Sequence, residues 1–445
     1  MKTVRKYLPL ILILVLGALL RIYKIGTNYY FSGELGKELL YIRQYAESHT
    51  LPLVGMGTSH EWLSYGPFYY WIMLPIFNIF NGNPFILFWV SLVVSLVGLV
   101  IGYFVFKRIL DEKIALVATA IGAFSPFLIL QTRLSKLHTF FFLIMPCVTY
   151  LTYLLWNGKK KWIIPTGLLF GVLFSFHFSQ IPLLGVIALL FILKRDIYKI
   201  KDWLLFGLGV IIPNITFLWQ DRNILLWLPY RVVNIANKNP VETIKLLNEY
   251  FGKAIFWDSR LWVISSVIFL AIFVYYTIKN KHKFTKEFIP FYLISSVSLM
   301  LLANIFHGTP PIHYFLPIVT AQTILVAIFL SKIKSWPLLV ACVVVVNILS
   351  FQNDPVFYKD FIGLIKNTDM VSYSTQNVIA DFIVASANQK PVSIKRIGAF
   401  DYFPENYSQN YKYLVLWKGG KVIDSSINSY TITEDSQKGE VSVKK

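Results

Sequence analysis

The sequence predicts an all-α polytopic membrane protein with a small α/β domain at its C-terminal end, and three observations predict it. Apolar runs close to the 20 or so residues that a spanning helix needs recur through the first 350 of 445 residues. Charged residues make up only 15% of the chain, against about 25% in an ordinary soluble domain. The basic residues stand in short clusters within the polar breaks between the runs. With 56% apolar residues and a mean hydropathy of +0.58, the chain is neither disordered nor an ordinary cytosolic enzyme.

The first element begins with Lys2, Arg5 and Lys6 and continues into an apolar stretch. A secretory signal would end in small residues at a cleavage site. Arg21 and aromatic residues follow instead, so this stretch reads as an uncleaved span over about 7–22. Further spans fall at about 84–106, 114–131, 138–156, 162–178, 180–194, 203–219, 261–278, 288–306, 314–331 and 336–350, about eleven in all. Every second break carries a basic cluster: Lys107-Arg108-Lys113, Lys159-Lys160-Lys161, Lys194-Arg195-Lys199-Lys201, Lys279-Lys281-Lys283-Lys286 and Lys332-Lys334. Cytoplasmic loops carry such an excess of Lys and Arg. The pattern predicts a multi-pass protein of the cell membrane with a cytoplasmic N-terminus and an extracytoplasmic C-terminal domain. It also accounts for the net charge of +19 through topology and anionic lipid, with no nucleic acid as partner. Cys147 and Cys342 lie in apolar runs, outside any disulfide or zinc spacing, and read as buried small apolar residues.

Two segments need separate treatment. The stretch Gly66–Phe77 is apolar but only about 15 residues long before Asn81-Gly82-Asn83, and it is aromatic at one end. If it crossed, every later basic cluster would fall on the wrong side, so it is expected to lie at the interface. After Phe351 the composition changes. Residues 372–388 have apolar positions at helical spacing; 391–394, 411–417 and 429–433 read as strands, followed by a polar, frayed tail. The expected division is a transmembrane domain over 1–350, with the first outer loop at 23–83, and an α/β domain over 351–445.

The residues able to carry chemistry concentrate in the outer loops. Glu34 and Glu38, in Phe31-Ser32-Gly33-Glu34-Leu35-Gly36-Lys37-Glu38, are four apart and would share a helical face. Gly33 and Gly36 would permit a tight turn near a ligand. A carboxylate desolvated there becomes a better base; the alternative is a solvated loop with Glu34 paired to Lys37. Arg133, Lys136 and His138 follow the third span, where they suit a membrane-surface phosphate or serve as interfacial anchors. His313-Tyr314 at the entry of a span could orient a phosphate or a sugar hydroxyl, or belong to an aromatic belt. His177 lies deep near the end of the fifth span and is either a functional group or a structural histidine. In the loop 220–260, Asp221, Arg222, Arg231, Glu242, Glu249, Asp258 and Arg260 are expected to be solvated or paired, and Ile224–Leu228 suits an interfacial helix. No metal-ligand spacing, P-loop, dinucleotide glycine pattern or G-x-S-x-G elbow occurs. No cofactor is expected, although the sequence leaves a divalent metal open.

In order and spacing these elements resemble the GT-C glycosyltransferases, above all the family 39 type with its aminoarabinose transferase and protein O-mannosyltransferase relatives. FSGELGKELLYIRQY, LPLVGMGTS with YGPFYYWIMLPIFNIFNGNP, SPFLILQTRLSKLH, FSFHFSQIPLL and PPIHYFLPI are similar to stretches of bacterial members. The resemblance implies a hexosyl- or pentosyltransferase that moves a sugar from a polyprenyl-phosphate carrier to an extracytoplasmic lipid, polysaccharide or protein. It places Glu34 at the family's catalytic carboxylate, which is Asp in many members, and Glu38 at a second acidic position. It makes Lys37, Arg133, Lys136, His138, His313 and Tyr314 candidates for the donor phosphate, and His177, Tyr65 and Tyr69 candidates for substrate contact. Two rival classes share these features: a transporter or flippase of lipid-linked sugars, and a non-catalytic family member acting as a membrane scaffold.

Overall fold

The computed structural model describes residues 2–58, 63–220, 240–305, 312–353, 371–398, 406–435 and 440–445. A helix stands at each expected span. They are α1 (Lys2–Ile22), then, after the loop that carries α2 (Gly33–Ser48) and α3 (Phe68–Ile79), α4 (Ile86–Ile109), α5 (Glu112–Phe124) and α6 (Pro126–Leu134). There follow α7 (Phe141–Trp156), α8 (Ile163–Phe176), α9 (Leu184–Leu193), α10 (Ile200–Ile211), α11 (Ile215–Gln220) and α12 (Pro240–Lys253). The last four of the bundle are α13 (Trp262–Asn280), α14 (Phe288–Ile305), α15 (Leu316–Leu330) and α16 (Trp336–Asn353).

Among the described residues, four helical stretches are long and apolar enough to cross a membrane: Ile86–Ile109, Leu137–Trp156, Ile200–Gln220 and Ser259–Lys283. The pair α5 and α6 makes a fifth if its 54° bend belongs to one span. The bend has a local cause: Ser125 leaves the helical conformation and caps α6 by accepting from the Leu128 N–H, and Pro126 supplies no N–H to continue α5. The chain is thus a multi-pass helical membrane protein. In the stretch expected at the interface, Phe68–Ile79 forms the short apolar helix α3.

Helices alternate between two ends of the bundle. α7 starts next to His138 and ends before Lys159-Lys160-Lys161, and α8 returns from that cluster to His177. At the lysine-rich end Lys160 meets Asp202 at 3.0 Å, and the Lys113 ammonium donates to the Ser331 carbonyl. The opposite end carries the loop between α1 and α4. The cysteines are less hidden than expected, Cys147 being half-buried and Cys342 exposed on α16. An apolar run in lipid has no need to turn every small residue inward.

The C-terminal part combines α17 (Tyr373–Ala387), α18 (Gln409–Trp417) and a three-stranded sheet. Strand β1 (Ser393–Ile397) runs parallel to β2 (Ser429–Asp435) with Ser393 opposite Ser429. Strand β3 (Glu440–Lys444) runs antiparallel to β2 with Thr431 opposite Lys444. Two expectations are corrected. Residues 411–417 are helical, because Tyr411, Tyr413, Leu414 and Val415 are all fully buried and a short continuous apolar run fits a buried helix as well as a strand. The end of the tail, expected to fray, supplies the edge strand β3.

Under α18 lies a buried ion pair. Arg396 grips Glu434 through Nε and Nη2, both at 2.8 Å, and the Tyr411 hydroxyl donates to the other carboxylate oxygen at 2.7 Å. Removing one partner of such a pair leaves an uncompensated charge, a cost of about 3–5 kcal/mol. Glu434→Ala should therefore lower the thermal midpoint and expose the C-terminal part to protease. The paired apolar swap Arg396→Met with Glu434→Leu should cost far less.

Candidate active site

The sequence after α1 folds as the acidic spacing suggests. Ser32 caps α2, its hydroxyl accepting from the Leu35 N–H at 3.3 Å, so Glu34 stands in the first turn and Glu38 one turn further along the same face. Gly33 and Gly36 are helical and make no turn. A β-carbon on Gly36 would lie 2.3 Å from the Asn410 nitrogen, so glycine is what lets α18 lie directly on α2. Around this contact, Gln376 of α17 donates to the Phe31 carbonyl at 3.1 Å and Asn410 donates to Gln376 at 2.8 Å. The Tyr413 hydroxyl donates to the Gly82 carbonyl. The helix that bears both glutamates is clamped by the C-terminal part.

Glu34 is half-buried and accepts from the ammonium of Lys136, which lies between α6 and the 3-10 turn Leu137–Phe140. Burial works against the charge on Lys136, but the Glu34 carboxylate, helped by Tyr30 and Glu38, outweighs it and raises its pKa. Glu38 is buried and accepts from the Tyr69 hydroxyl. Burial, with a smaller contribution from the Glu34 charge, pushes its carboxyl up to about 8, against the opposing Tyr69 bond and Lys136 charge. Near neutral pH Glu34 and Glu38 therefore differ: one is salt-bridged to a lysine, the other predominantly holds its proton.

That difference has a measurable consequence. The unfolded chain releases the Glu38 proton near the ordinary carboxyl value, the folded chain only near 8. Between those values the folded state binds more protons, so stability falls as pH rises. Glu38→Gln removes this penalty, and the gain in thermal midpoint should be small near pH 5 and largest above pH 8. An equal gain at both ends would show that the carboxyl titrates normally.

The remaining candidates approach from other helices. The imidazoles of His138 and His177 stand 5.1 Å apart between ring centroids; Tyr314 lies 5.2 Å and Tyr65 5.6 Å from His177. Tyr65 is within electrostatic reach of Glu34, Glu38 and Tyr314. The segment that carries it is tied to the end of α8, where the Gly66 N–H donates to the Ser175 carbonyl at 2.9 Å and the Phe68 N–H to the Ser175 hydroxyl at 3.1 Å. Arg133 is buried and its Nη1 donates to the carbonyls of Arg21 at 3.0 Å and Tyr23 at 2.7 Å, which fixes the end of α6 to the end of α1. Lys37 is half-buried on α2. The segments 307–311 and 221–239, which include His307, Asp221, Arg222, Arg231 and Ile224–Leu228, lie outside the described residues, as do the side chains of His313 and Glu242. Glu249 pairs with Lys253, and Asp258 with Arg260 at 2.5 Å, as expected for that loop.

Sequence reasoning did not single out Ser179 and Gln180, although both stand in the FSFHFSQIPLL stretch. Gln180 is fully buried and its Nε2 donates to the Ser179 hydroxyl at 2.8 Å. Nor did it find Gln376 and Asn410, which lie more than 300 residues from the glutamates whose helix they hold; no local signal marks them.

Among the described residues no group of three or more His, Cys, Asp or Glu side chains could hold a metal ion. Residues 64–219 match the family model described as dolichyl-phosphate-mannose-protein mannosyltransferase. The fold is similar to that of ArnT from Cupriavidus metallidurans bound to undecaprenyl phosphate, with a TM-score of 0.64 and 11% identity over 96% of this chain and 93% of that one. It is also similar to the Archaeoglobus fulgidus oligosaccharyltransferase in complex with Zn and sulfate, with a TM-score of 0.50 and 11% identity over 93% of this chain and 62% of that one. No curated protein sequence matches the chain. It has a GT-C fold similar to that of ArnT, and residues 64–219, about a third of its length and all within its first half, match the model of the mannosyltransferase family.

Proposed function

We propose that the protein is a glycosyltransferase that moves a sugar from a polyprenyl-phosphate carrier to an acceptor outside the cytoplasmic membrane, with Glu34 as general base. The observation that carries this reading is the Glu34–Lys136 pair at the end of the bundle remote from the lysine clusters, beside a buried carboxyl and a cluster of His and Tyr side chains. The undecaprenyl phosphate of the ArnT structure supports the choice of a lipid-linked donor. The positive-inside rule puts the lysine end in the cytoplasm and the glutamates outside.

The pair suggests how the reaction is armed. A donor phosphate competes with Glu34 for the Lys136 ammonium, and Lys37, His138, Arg133, His313 and Tyr314 are the further candidates to meet it. Its arrival frees the carboxylate. Glu34 then takes the proton of the acceptor hydroxyl, whose oxygen attacks the anomeric carbon. The bond from that carbon to the phosphate oxygen breaks, and its electron pair leaves on the carrier phosphate, met by Lys136. Glu38, which predominantly holds its proton, is a poor nucleophile, so one displacement with inversion follows. Tyr65 and Tyr69 line the approach.

Loss of a hydrogen bond to a charged group costs about 1.5–3 kcal/mol. Lys136→Ala should therefore weaken binding of undecaprenyl phosphate to the reconstituted protein by about tenfold or more; unchanged affinity removes Lys136 from the donor site. Deleting the gene in its host tests the whole reading. A sugar should vanish from an envelope lipid, polysaccharide or glycoprotein while its polyprenyl-phosphate form accumulates, and unchanged mass spectra overturn the proposal.

A further inference from the structure

Arg21, in the last turn of α1, is fully buried in the bundle. Its Nε donates to the Thr132 hydroxyl at 3.3 Å, and its Nη1 to the carbonyls of Gly17 at 2.9 Å and Ala123 at 2.8 Å. These bonds fasten α1 to the bend between α5 and α6, just before the loop that carries the two glutamates begins. Of the N–H groups of a guanidinium, they use the one on Nε and both on Nη1. Among the described residues Nη2 makes no hydrogen bond, and no carboxylate pairs with Arg21; burial alone acts on its charge. An arginine cannot shed that charge. A cation withdrawn from water without a counter-charge is costly, and within a membrane helix it marks a functional position.

The same guanidinium lines a cavity of about 60 Å³ enclosed by α1, α4, α5, α6, α7 and α15. Four hydroxyls share its wall: Ser95 of α4, Thr119 of α5, and Thr320 and Thr323 of α15. Each donates to a carbonyl three or four residues earlier in its own helix. Such a carbonyl also accepts the N–H of the helical ladder, so the hydroxyl can turn towards a ligand without orphaning it. A water needs about 10–15 Å³, so the cavity suits a few particles of water size and is too small for a sugar ring. A particle there meets a fixed positive charge, two N–H groups of Nη2 and hydroxyls able to donate, and no acidic side chain lines the wall. Water would answer the N–H groups and leave the charge uncompensated; an anion answers both.

We propose that Arg21, with the hydroxyls of Ser95, Thr119, Thr320 and Thr323, binds a small monovalent anion of the halide class, which neutralises the joint between α1, α5 and α6. The inference stands apart from the glycosyl-transfer reading and does not depend on it. Crystals of the full chain grown in bromide should show, at the bromine absorption edge, an anomalous peak in the cavity within hydrogen-bond distance of Arg21 Nη2. In phosphatidylcholine nanodiscs at constant ionic strength, with gluconate as the replacing anion, the thermal midpoint should rise with the logarithm of chloride concentration, because a ligand of the folded state stabilises it by mass action. Arg21→Met should abolish that rise. Thr119→Val combined with Thr323→Val removes two hydroxyls, each worth about 0.5–1.5 kcal/mol, and should move the onset of the rise to about tenfold higher chloride. If Arg21→Met does not fold, the double variant and the bromide map decide. Ordered water without bromide at Nη2, a wild-type midpoint indifferent to chloride, or an unchanged chloride response in either folded variant overturns the inference.

Discussion

Glu34→Gln is expected to abolish sugar transfer while leaving the protein folded. A positioned general base contributes about 10²–10⁴-fold to rate, and the amide accepts no proton from an acceptor hydroxyl. The fold should survive because Glu34 is half-buried with a side chain 38% exposed, and its loss releases only Lys136. The signature is a split: turnover of a polyprenyl-phosphate sugar falls by at least a hundredfold, while affinity for undecaprenyl phosphate is retained or rises, since the phosphate no longer competes with a carboxylate for Lys136. Wild-type turnover in the Gln variant would remove Glu34 from the mechanism. Lost turnover with lost carrier binding would reassign it to the architecture of the site.

Gly36→Ala carries the second large effect, and it strikes without touching a polar group. The new methyl would lie 2.3–2.5 Å from backbone atoms of Gln409 and Asn410, and backbone cannot swing aside as a side chain can. Overpacking typically costs about 1–3 kcal/mol, and here the strain falls on the contact between α18 and α2. The variant should insert normally, yet lose activity together with protection of the C-terminal part from protease. Restored protection without restored activity would show that α18 does more than brace the acidic helix. Full activity would show that the two helices separate freely.

Much of this architecture could be read in advance because lipid imposes a simple rule: a long apolar run must satisfy its backbone internally, so it is a helix. The charge clusters then ordered the runs. The pair of glutamates was legible for a local reason too, since residues four apart on a capped helix share a face. What could not be read was long-range. The sequence offers Lys37 as the partner of Glu34 and Lys136 only as a phosphate ligand or anchor, and it is the packing of α6 against α1 that brings Lys136 to Glu34. Residues 411–417 read as a strand because their mostly apolar run carries no clear helical period, and a short continuous apolar run fits a strand as well as a helix.

The clamp on α2 also bears on how the molecule is made. Gln376, Asn410 and Tyr413 are synthesised more than 300 residues after Phe31 and Gly36, to which their segments attach. A nascent chain therefore threads its helices into the bilayer with the acidic segment unsupported, and the clamp closes only after residues 376–413 have been made. Fragments released early would be embedded with the acidic helix α2 unbraced.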